Sequence, residues 1–91
     1  MGRILREAYI EDKCVKMAQA LGYTTRKIKF INQNGAPDRI FFKLGHFFWC
    51  EFKTDGGIIS ELQKYQQQLL KDSGQEVHNC WSIEQFKEIV K

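Results

Sequence analysis

The sequence lacks a long apolar run and has few of the residues that cross-link small proteins. No stretch approaches the ~20 consecutive apolar residues of a membrane-spanning helix, and no charged-then-apolar leader opens the chain. Its cysteines, Cys14, Cys50 and Cys80, are odd in number, so a disulfide framework is not expected. These absences predict a protein of a reducing, cytoplasmic compartment with no membrane association.

Thiolate and imidazole metal sites are also not expected. The cysteines and the two histidines, His46 and His78, show neither CxxC nor HxxxH spacing. His78 and Cys80 form an HxC pair, but that spacing arises easily by chance in a strand. Proline is equally scarce: Pro37 stands alone, just before a predicted strand, where its missing N–H does little harm.

Size and charge set broad limits. A chain of 91 residues is expected to form one domain over residues 1–91. Its 43% hydrophobic and 27% charged residues are typical of a globular protein and exclude a disordered one. The net charge of +3 permits a polyanionic partner without requiring one.

Hydrophobic periodicity predicts seven elements in the order α-β-β-β-α-β-α. The predicted ranges are 3–21 (helix), 26–31, 38–43 and 47–53 (strands), 60–72 (helix), 76–81 (strand) and 82–90 (helix). The first helix should bury one stripe: Ile10, Cys14, Met17, Ala18 and Leu21. S-x-x-Q capping-box patterns begin at Ser60 and Ser82, and Gly22 and Gly74 stand where the first two helices should end.

The central predicted hairpin brings two acids together. A turn centred on Leu44-Gly45 fixes its register. Asp38 then pairs with Glu51, and paired residues point to the same face with Cβ atoms about 4.5–5.5 Å apart. Lys53, two residues beyond Glu51, faces the same way. The carboxylates would repel each other by about 0.2–1 kcal/mol, which either a divalent cation or Lys53 would offset.

A third acid is predicted on the first helix. Glu11 lies at the edge of the apolar stripe and would reach the hairpin acids if this helix packs on the sheet. Glu7, one turn earlier, is the alternative. Each group also has a purely structural interpretation: the hairpin charges as a solvated rim, Glu11 as a surface residue, and Gln63 as a capping residue.

The ordered set of residues resembles the PD-(D/E)XK nuclease superfamily and, within it, the VRR-NUC (virus-type replication-repair nuclease) family. The signature stands here as Pro37-Asp38 followed by Glu51-Phe52-Lys53. The remaining matching positions are Glu11, Gly22, Lys29, Gly35, Ala36, Arg39, Gly57, Ser60 and Gln63. Together they span most of the chain, and the combination is more specific than either short motif.

The resemblance implies a fold and a site. The fold would be α/β (α+β), restriction-endonuclease-like, with a mixed four-stranded sheet flanked by helices. The implied ligands of Mg²⁺ or Mn²⁺ are Asp38, Glu51, the backbone carbonyl of Phe52 and, directly or through water, Glu11. Lys53 would orient or activate the attacking water, and Gln63 would support the site. Lys29 and Arg39 would contact phosphate or structure the cleft.

The implied activity is metal-dependent hydrolysis of DNA by a structure-specific endonuclease. Single-domain members of the family resemble homodimeric Holliday-junction resolvases of phage or bacterial origin, acting in the host cytoplasm in recombination and repair. A two-fold dimer would present two sites to the two equivalent strands of a four-way junction. Candidate phosphate contacts are Arg3, Arg6, Arg26, Lys27 and Lys64.

Three alternatives remain open at the level of sequence. The chain would cut flap, nicked or linear DNA instead, or would bind DNA without cutting it. It would otherwise be a protein-interaction module built on the hairpin aromatics Phe47, Phe48 and Trp49. The number of metal ions, the cleavage sequence and the choice between Glu7 and Glu11 are not decided by the sequence.

Overall fold

The computed structural model describes residues 6–91, which form three helices and one four-stranded sheet. In chain order the elements are α1 (Glu7–Ala20), β1 (Thr24–Lys27), β2 (Arg39–Lys43), β3 (His46–Phe52), α2 (Glu61–Asp72), β4 (Val77–Cys80) and α3 (Ile83–Ile89). The predicted α-β-β-β-α-β-α order is confirmed. The predicted start of the first helix at Arg3 lies outside the described residues.

The sheet is mixed, as predicted. Its strand order is β1-β2-β3-β4. The β1–β2 and β2–β3 pairs are antiparallel, whereas β3 and β4 are parallel. A parallel pair needs a crossover connection, and α2 supplies it between β3 and β4.

The hairpin register is the one predicted from its turn. Lys43 pairs with His46, and the ladder continues to Arg39 opposite Cys50. Gly45 has φ +87°, the left-handed conformation that such a turn requires of one residue. Asp38 directly precedes β2, so extending the same ladder by one residue sets it opposite Glu51.

The first strand differs from its prediction. It was expected at residues 26–31 from the alternation of charged and apolar residues, but β1 spans Thr24–Lys27. Its ladder ends where Lys27 pairs with Arg39, and only one further backbone bond, from Ile28 N–H to the Asp38 carbonyl at 3.0 Å, follows. The alternation therefore continues into a loop that no neighbouring strand can pair with.

The capping residues largely behave as predicted. Ser60 and Gln63 form a complete capping box at the start of α2. At α3, the Ser82 side chain accepts from Gln85 N–H, but the Gln85 side chain accepts from Trp81 N–H instead of closing a box on Ser82. Gly22, with φ +93°, follows the end of α1.

The core lies between one sheet face and helices α1 and α3. Four phenylalanines are fully buried there with their rings packed together: Phe41, Phe48, Phe52 and Phe86. The predicted α1 stripe is buried at Ile10, Cys14 and Ala18, and Met17 packs partly against it. One expectation was wrong: Leu21 is exposed, because it caps the helix end. Phe48 belongs to the core, so of the hairpin aromatics it cannot contribute to an exposed interface.

Helix α2 lies on the opposite face of the sheet. Its side chains Gln63 and Gln67 bond to Glu51 of β3 and Asn79 of β4, which alternate with the core-facing residues. None of the helices in residues 6–91 has the length and apolar character needed to cross a bilayer.

Candidate active site

The site begins with two carboxyl groups at one end of the β2–β3 hairpin. Asp38 Oδ2 accepts a hydrogen bond from Phe52 N–H at 3.1 Å, which fixes Asp38 where the ladder would otherwise continue. Burial raises the pKa of Glu51, and Asp38 lies close enough for its negative charge to raise that pKa further. The predicted convergence of Asp38 and Glu51 on one face is therefore present in the structure.

Glu51 is buried in an environment that disfavours its charge. The residue is 3% exposed, and its Oε1 is buried with no hydrogen-bond partner in the described chain. Burial, then the charge of Asp38, raises the pKa of Glu51 to about 8. A buried carboxylate oxygen without a partner is unfavourable in a folded protein, so this atom needs a ligand that the polypeptide does not provide.

Gln63 serves the helix and the site at once. Its Oε1 accepts from Ser60 N–H at 2.8 Å, completing the cap of α2, while its Nε2 donates to Glu51 Oε2 at 3.2 Å. The capping and supporting roles, which sequence alone left as alternatives, therefore coexist. Because the cap fixes the amide, Gln63 holds Glu51 in one orientation.

Lys53 is positioned by the strand geometry. Its N–H donates to the Cys80 carbonyl at 2.9 Å, which ties the end of β3 to β4. Its ammonium lowers the pKa of Glu51 and of Glu7, against the larger effects of burial. Its ammonium is therefore close to Glu51, one of the two acids that the predicted register set beside it, and also to Glu7.

Glu11 is engaged elsewhere. Its carboxylate is mostly buried and pairs with Arg39 Nε at 2.5 Å and with Lys27 Nζ at 3.2 Å. Arg39 also donates to Thr25 Oγ1 at 3.4 Å. These contacts fasten α1 to β1 and β2, and two cations already satisfy the carboxylate that was predicted to contact a metal.

Glu7 is the α1 acid whose charge interacts with Asp38, Glu51 and Lys53. Burial, then the charge of Asp38, raises the pKa of Glu7, while Lys53 lowers it. Glu7 in turn contributes to the raised pKa of Glu51. Glu7, the alternative that the sequence left open, is therefore close enough to Asp38 and Glu51 for their charges to interact. Glu11 instead pairs with two cations and fastens the helix that carries Glu7.

The residues present fit a divalent cation. In residues 6–91 no three or more His, Cys, Asp and Glu side chains are arranged to hold a metal ion, and the predicted set needs only Asp38, Glu51 and the Phe52 carbonyl. Oxygen ligands and few carboxylates are what Mg²⁺ prefers. A cation between the two groups would give Glu51 Oε1 a partner and offset the charge repulsion between Glu51 and Asp38.

Within the described residues, the lysines and arginines predicted to contact phosphate fall into two groups, those paired with an acid and those exposed to solvent. Lys27 pairs with Glu11, Lys64 pairs with Glu61, and Arg39 is mostly buried against Glu11. Arg6, Arg26 and Lys29 are exposed, and Arg26 donates to the Thr25 carbonyl. Arg3 lies outside the described residues. Arg39 is thus a structural residue of this site, and the exposed cations remain available to phosphate.

The three cysteines play no part in the site. Cys14, Cys50 and Cys80 are free thiols, fully buried in the core. Hydrogen bonding to Cys80, then burial, raises the pKa of Cys14, whereas burial, then hydrogen bonding to Cys80, raises the pKa of Cys50. They therefore pack as small apolar side chains beneath β3 and β4.

Comparison with known proteins rests on structure. The sequence matches no protein-family model, and no curated protein matches it. A solved structure described as "VRR_NUC domain" superposes with a TM-score of 0.84 and 21% sequence identity, covering 92% of this chain and 92% of the other. The resemblance predicted from the motif is confirmed at the level of fold: the chain has the fold of a VRR_NUC domain.

Proposed function

We propose that this protein is a metal-dependent DNA endonuclease of the VRR-NUC family. The main support for the proposal is that Asp38 and Glu51 lie close together beside Lys53. One oxygen of this pair, Glu51 Oε1, is buried without a hydrogen-bond partner in the described residues. An ordinary solvated rim would leave each carboxylate oxygen exposed to water. The shared fold with a VRR_NUC domain supports the same assignment.

The cation would be held by Asp38, Glu51 and the carbonyl of Phe52. Mg²⁺ or Mn²⁺ bound there would supply a water of lowered pKa and polarise a phosphoryl oxygen. Lys53 supplies a compact positive charge beside the acids, suited to the negative charge that phosphodiester hydrolysis develops. Gln63 holds Glu51 in place through Nε2.

Changing Glu7 and Glu11 separately to glutamine should distinguish a role in catalysis from a role in stability. Glu7→Gln is expected to slow cleavage about 10–100-fold, as for a group that supports a metal site from outside its ligands, with little change in melting temperature. Glu11→Gln is expected to lower the free energy of unfolding by about 1–3 kcal/mol, because Arg39 loses its ionic partner in a mostly buried position. Cleavage rates and thermal melts measure the two effects.

Each of these variants is the matched control for the other, since both remove one charge from the same helix. A Glu11→Gln protein that keeps its stability and loses activity would assign the metal-site role to Glu11 instead.

The proposed substrate is a four-way DNA junction, and the proposed assembly is a homodimer. Two active sites related by a two-fold axis would match the two equivalent strands of the junction. The face of the sheet that carries Glu51 also carries Phe47, and α2 beside it carries Tyr65 and Leu69; these three side chains are 43%, 59% and 47% exposed. An apolar surface of this kind suits a second copy of the chain.

Leu69→Glu is expected to convert the dimer into a monomer, because it places a charge in that apolar surface. The mass in solution should fall from about twice to about once the 10.7 kDa of the chain, as measured by light scattering. Leu44→Glu is the control, since Leu44 is fully exposed at the hairpin turn. Parent protein that is already monomeric at high concentration would remove the dimer from the proposal and leave the nuclease.

The deciding experiment is a cleavage assay with Mg²⁺, Mn²⁺ or EDTA on four substrates in parallel: a four-way junction, a flap, a linear duplex and a single strand. Paired, symmetric nicks on the junction, dependent on the metal, are the expected result. Preference for linear or single-stranded DNA would refute the resolvase and keep the nuclease. Binding without cleavage of any substrate would refute the nuclease.

A further inference from the structure

Three apolar side chains are far more exposed than the others in the described chain. Ile31, Leu44 and Ile58 are 85%, 102% and 81% exposed, whereas the remaining exposed large apolar residues range from 43% to 59%. Leu44 lies at the hairpin turn, the opposite end of β2 and β3 from the acidic site. Ile31 and Ile58 lie in the two loops that border that site.

The loop that carries Ile31 is fixed at both ends. It closes where Ile28 N–H donates to the Asp38 carbonyl at 3.0 Å. Further along, Gly35 packs so closely on the first turn of α2 that a Cβ there would lie 2.9 Å from the Leu62 carbonyl oxygen. The loop is therefore held between Asp38 and the helix turn that carries Gln63, and Ile31 extends from it into solvent.

The loop that carries Ile58 is fixed against Lys53. Gly57 N–H donates to the Thr54 carbonyl at 2.8 Å, and the Gly57 carbonyl accepts from Trp81 Nε1 at 2.7 Å. A Cβ on Gly57 would lie 3.2 Å from the Lys53 Cβ. Ile58 is the next residue, so its position relative to the active-site lysine is set by backbone contacts.

Two anchored loops that each present one isoleucine are suited to DNA whose bases are partly unstacked. Proteins that distort DNA insert apolar wedges such as isoleucine between base steps, and the insertion is least costly where stacking is already interrupted, as at a branch point. Water-exposed isoleucine gains by this burial, and rigid loops lose little conformational freedom on binding. Lys29, two residues before Ile31, is exposed beside it to meet a phosphate.

We infer that Ile31 and Ile58 are wedge residues that insert beside unstacked bases at the branch of a DNA substrate and determine the preference for branched over linear DNA. The inference rests on the proposed nuclease function and deepens it, since it concerns the substrate of the same site. Neither side chain contacts the reacting groups, so their removal should change the choice of substrate and leave the chemistry intact.

The test compares Ile31→Ala/Ile58→Ala with the parent and with Leu44→Ala, the equally exposed control at the far end of the hairpin. Cleavage rates are measured on a four-way junction and on a linear duplex of the same arm sequences. The double variant should cut the junction about tenfold more slowly and the duplex within about twofold of the parent rate. Leu44→Ala should match the parent on both.

A second measurement is independent of cleavage. In the Asp38→Asn background, 2-aminopurine placed beside the branch should brighten when protein binds, because its stacking is broken, and the double variant should abolish that rise. The inference is overturned if the double variant loses cleavage rate equally on junction and duplex, or if neither rate changes. It is also overturned if the fluorescence rise persists in the double variant. If the parent cuts no DNA, the proposed function fails, and the fluorescence alone still decides this inference.

Discussion

Replacing Asp38 by asparagine is expected to reduce DNA cleavage by about a hundred- to a thousandfold while the protein stays folded. The substitution removes one of the two negative charges that would hold the cation. Without that charge, neither the lowered pKa of a bound water nor the polarised phosphate is available. Single-turnover cleavage of a labelled junction in Mg²⁺ measures the loss, and it should appear in the rate constant even at saturating protein.

Asparagine is the sharper substitution because of the backbone contact that Asp38 makes. Its Oδ2 accepts from Phe52 N–H at 3.1 Å, and an asparagine carbonyl oxygen can still accept that bond. Alanine would leave the N–H without a partner at the end of β3, at a cost of about 1–3 kcal/mol. Loss of activity in Asp38→Asn therefore reports on the charge, whereas loss in Asp38→Ala would mix charge with folding.

Asp55→Asn is the matched control. Asp55 is an exposed acid in the loop that follows Lys53, so its substitution changes net charge equally without touching the carboxyl pair. It should cut within about twofold of the parent. Equal cleavage by Asp38→Asn and the parent would contradict the role of Asp38 and, with it, the metal site.

Much of this site follows from local rules. The turn at Leu44-Gly45 fixes the register, so Asp38 lies across the hairpin from Glu51 and on the same face. The period of two along a strand then puts Lys53 on that face as well. The capping box predicted the place of Gln63 at the start of α2, and the family resemblance assigned it to the site; the amide that closes the box also reaches Glu51. The hairpin register and the helix cap are local, whereas the contact between Gln63 and Glu51 joins α2 to β3 and depends on how the helix packs on the sheet.

The choice between Glu7 and Glu11 could not be made in this way. Both acids lie on one side of α1, and helical spacing brings either within reach of the sheet. What separates them is the pairing of Lys27 with Arg39 in the β1–β2 ladder, which directs two cations at Glu11. The sequence prediction placed β1 two residues late and extended it too far, so this pair of cations was not apparent.

Replacing Glu51 by glutamine is expected to make the metal-free protein more stable although it abolishes activity. Glu51 is 3% exposed, with Oε1 unpartnered and Asp38 alongside. A glutamine amide at that position carries no charge and can donate to the Asp38 carboxylate. Relief of one unsatisfied, repelled carboxyl group should raise the free energy of unfolding by about 1–3 kcal/mol, and hence the melting temperature in EDTA by at least about 5 °C.

The stability that Glu51→Gln gains over the parent should increase with pH. The pKa of Glu51 rises on folding from its ordinary value of 4.5 to about 8, so the folded state binds its proton more tightly than the unfolded state. Glu51 therefore costs no stability below about pH 4.5, and stability is lost progressively as the pH rises towards 8. The difference between Glu51→Gln and the parent should be smallest near pH 4 and largest near pH 8.

Metal should reverse the order of stability of the parent and Glu51→Gln, so that the parent becomes the more stable protein. Binding only to the folded state raises stability by about 2.7 kcal/mol at a hundred times the dissociation constant, so Mn²⁺ should raise the melting temperature of the parent and leave that of Glu51→Gln unchanged. Glu61→Gln, an exposed acid on the first turn of α2, should respond to EDTA and Mn²⁺ as the parent does. A Glu51→Gln protein that is less stable than the parent in EDTA would mean that Glu51 is satisfied as an ordinary structural residue. The site would then have no unmet demand for a cation.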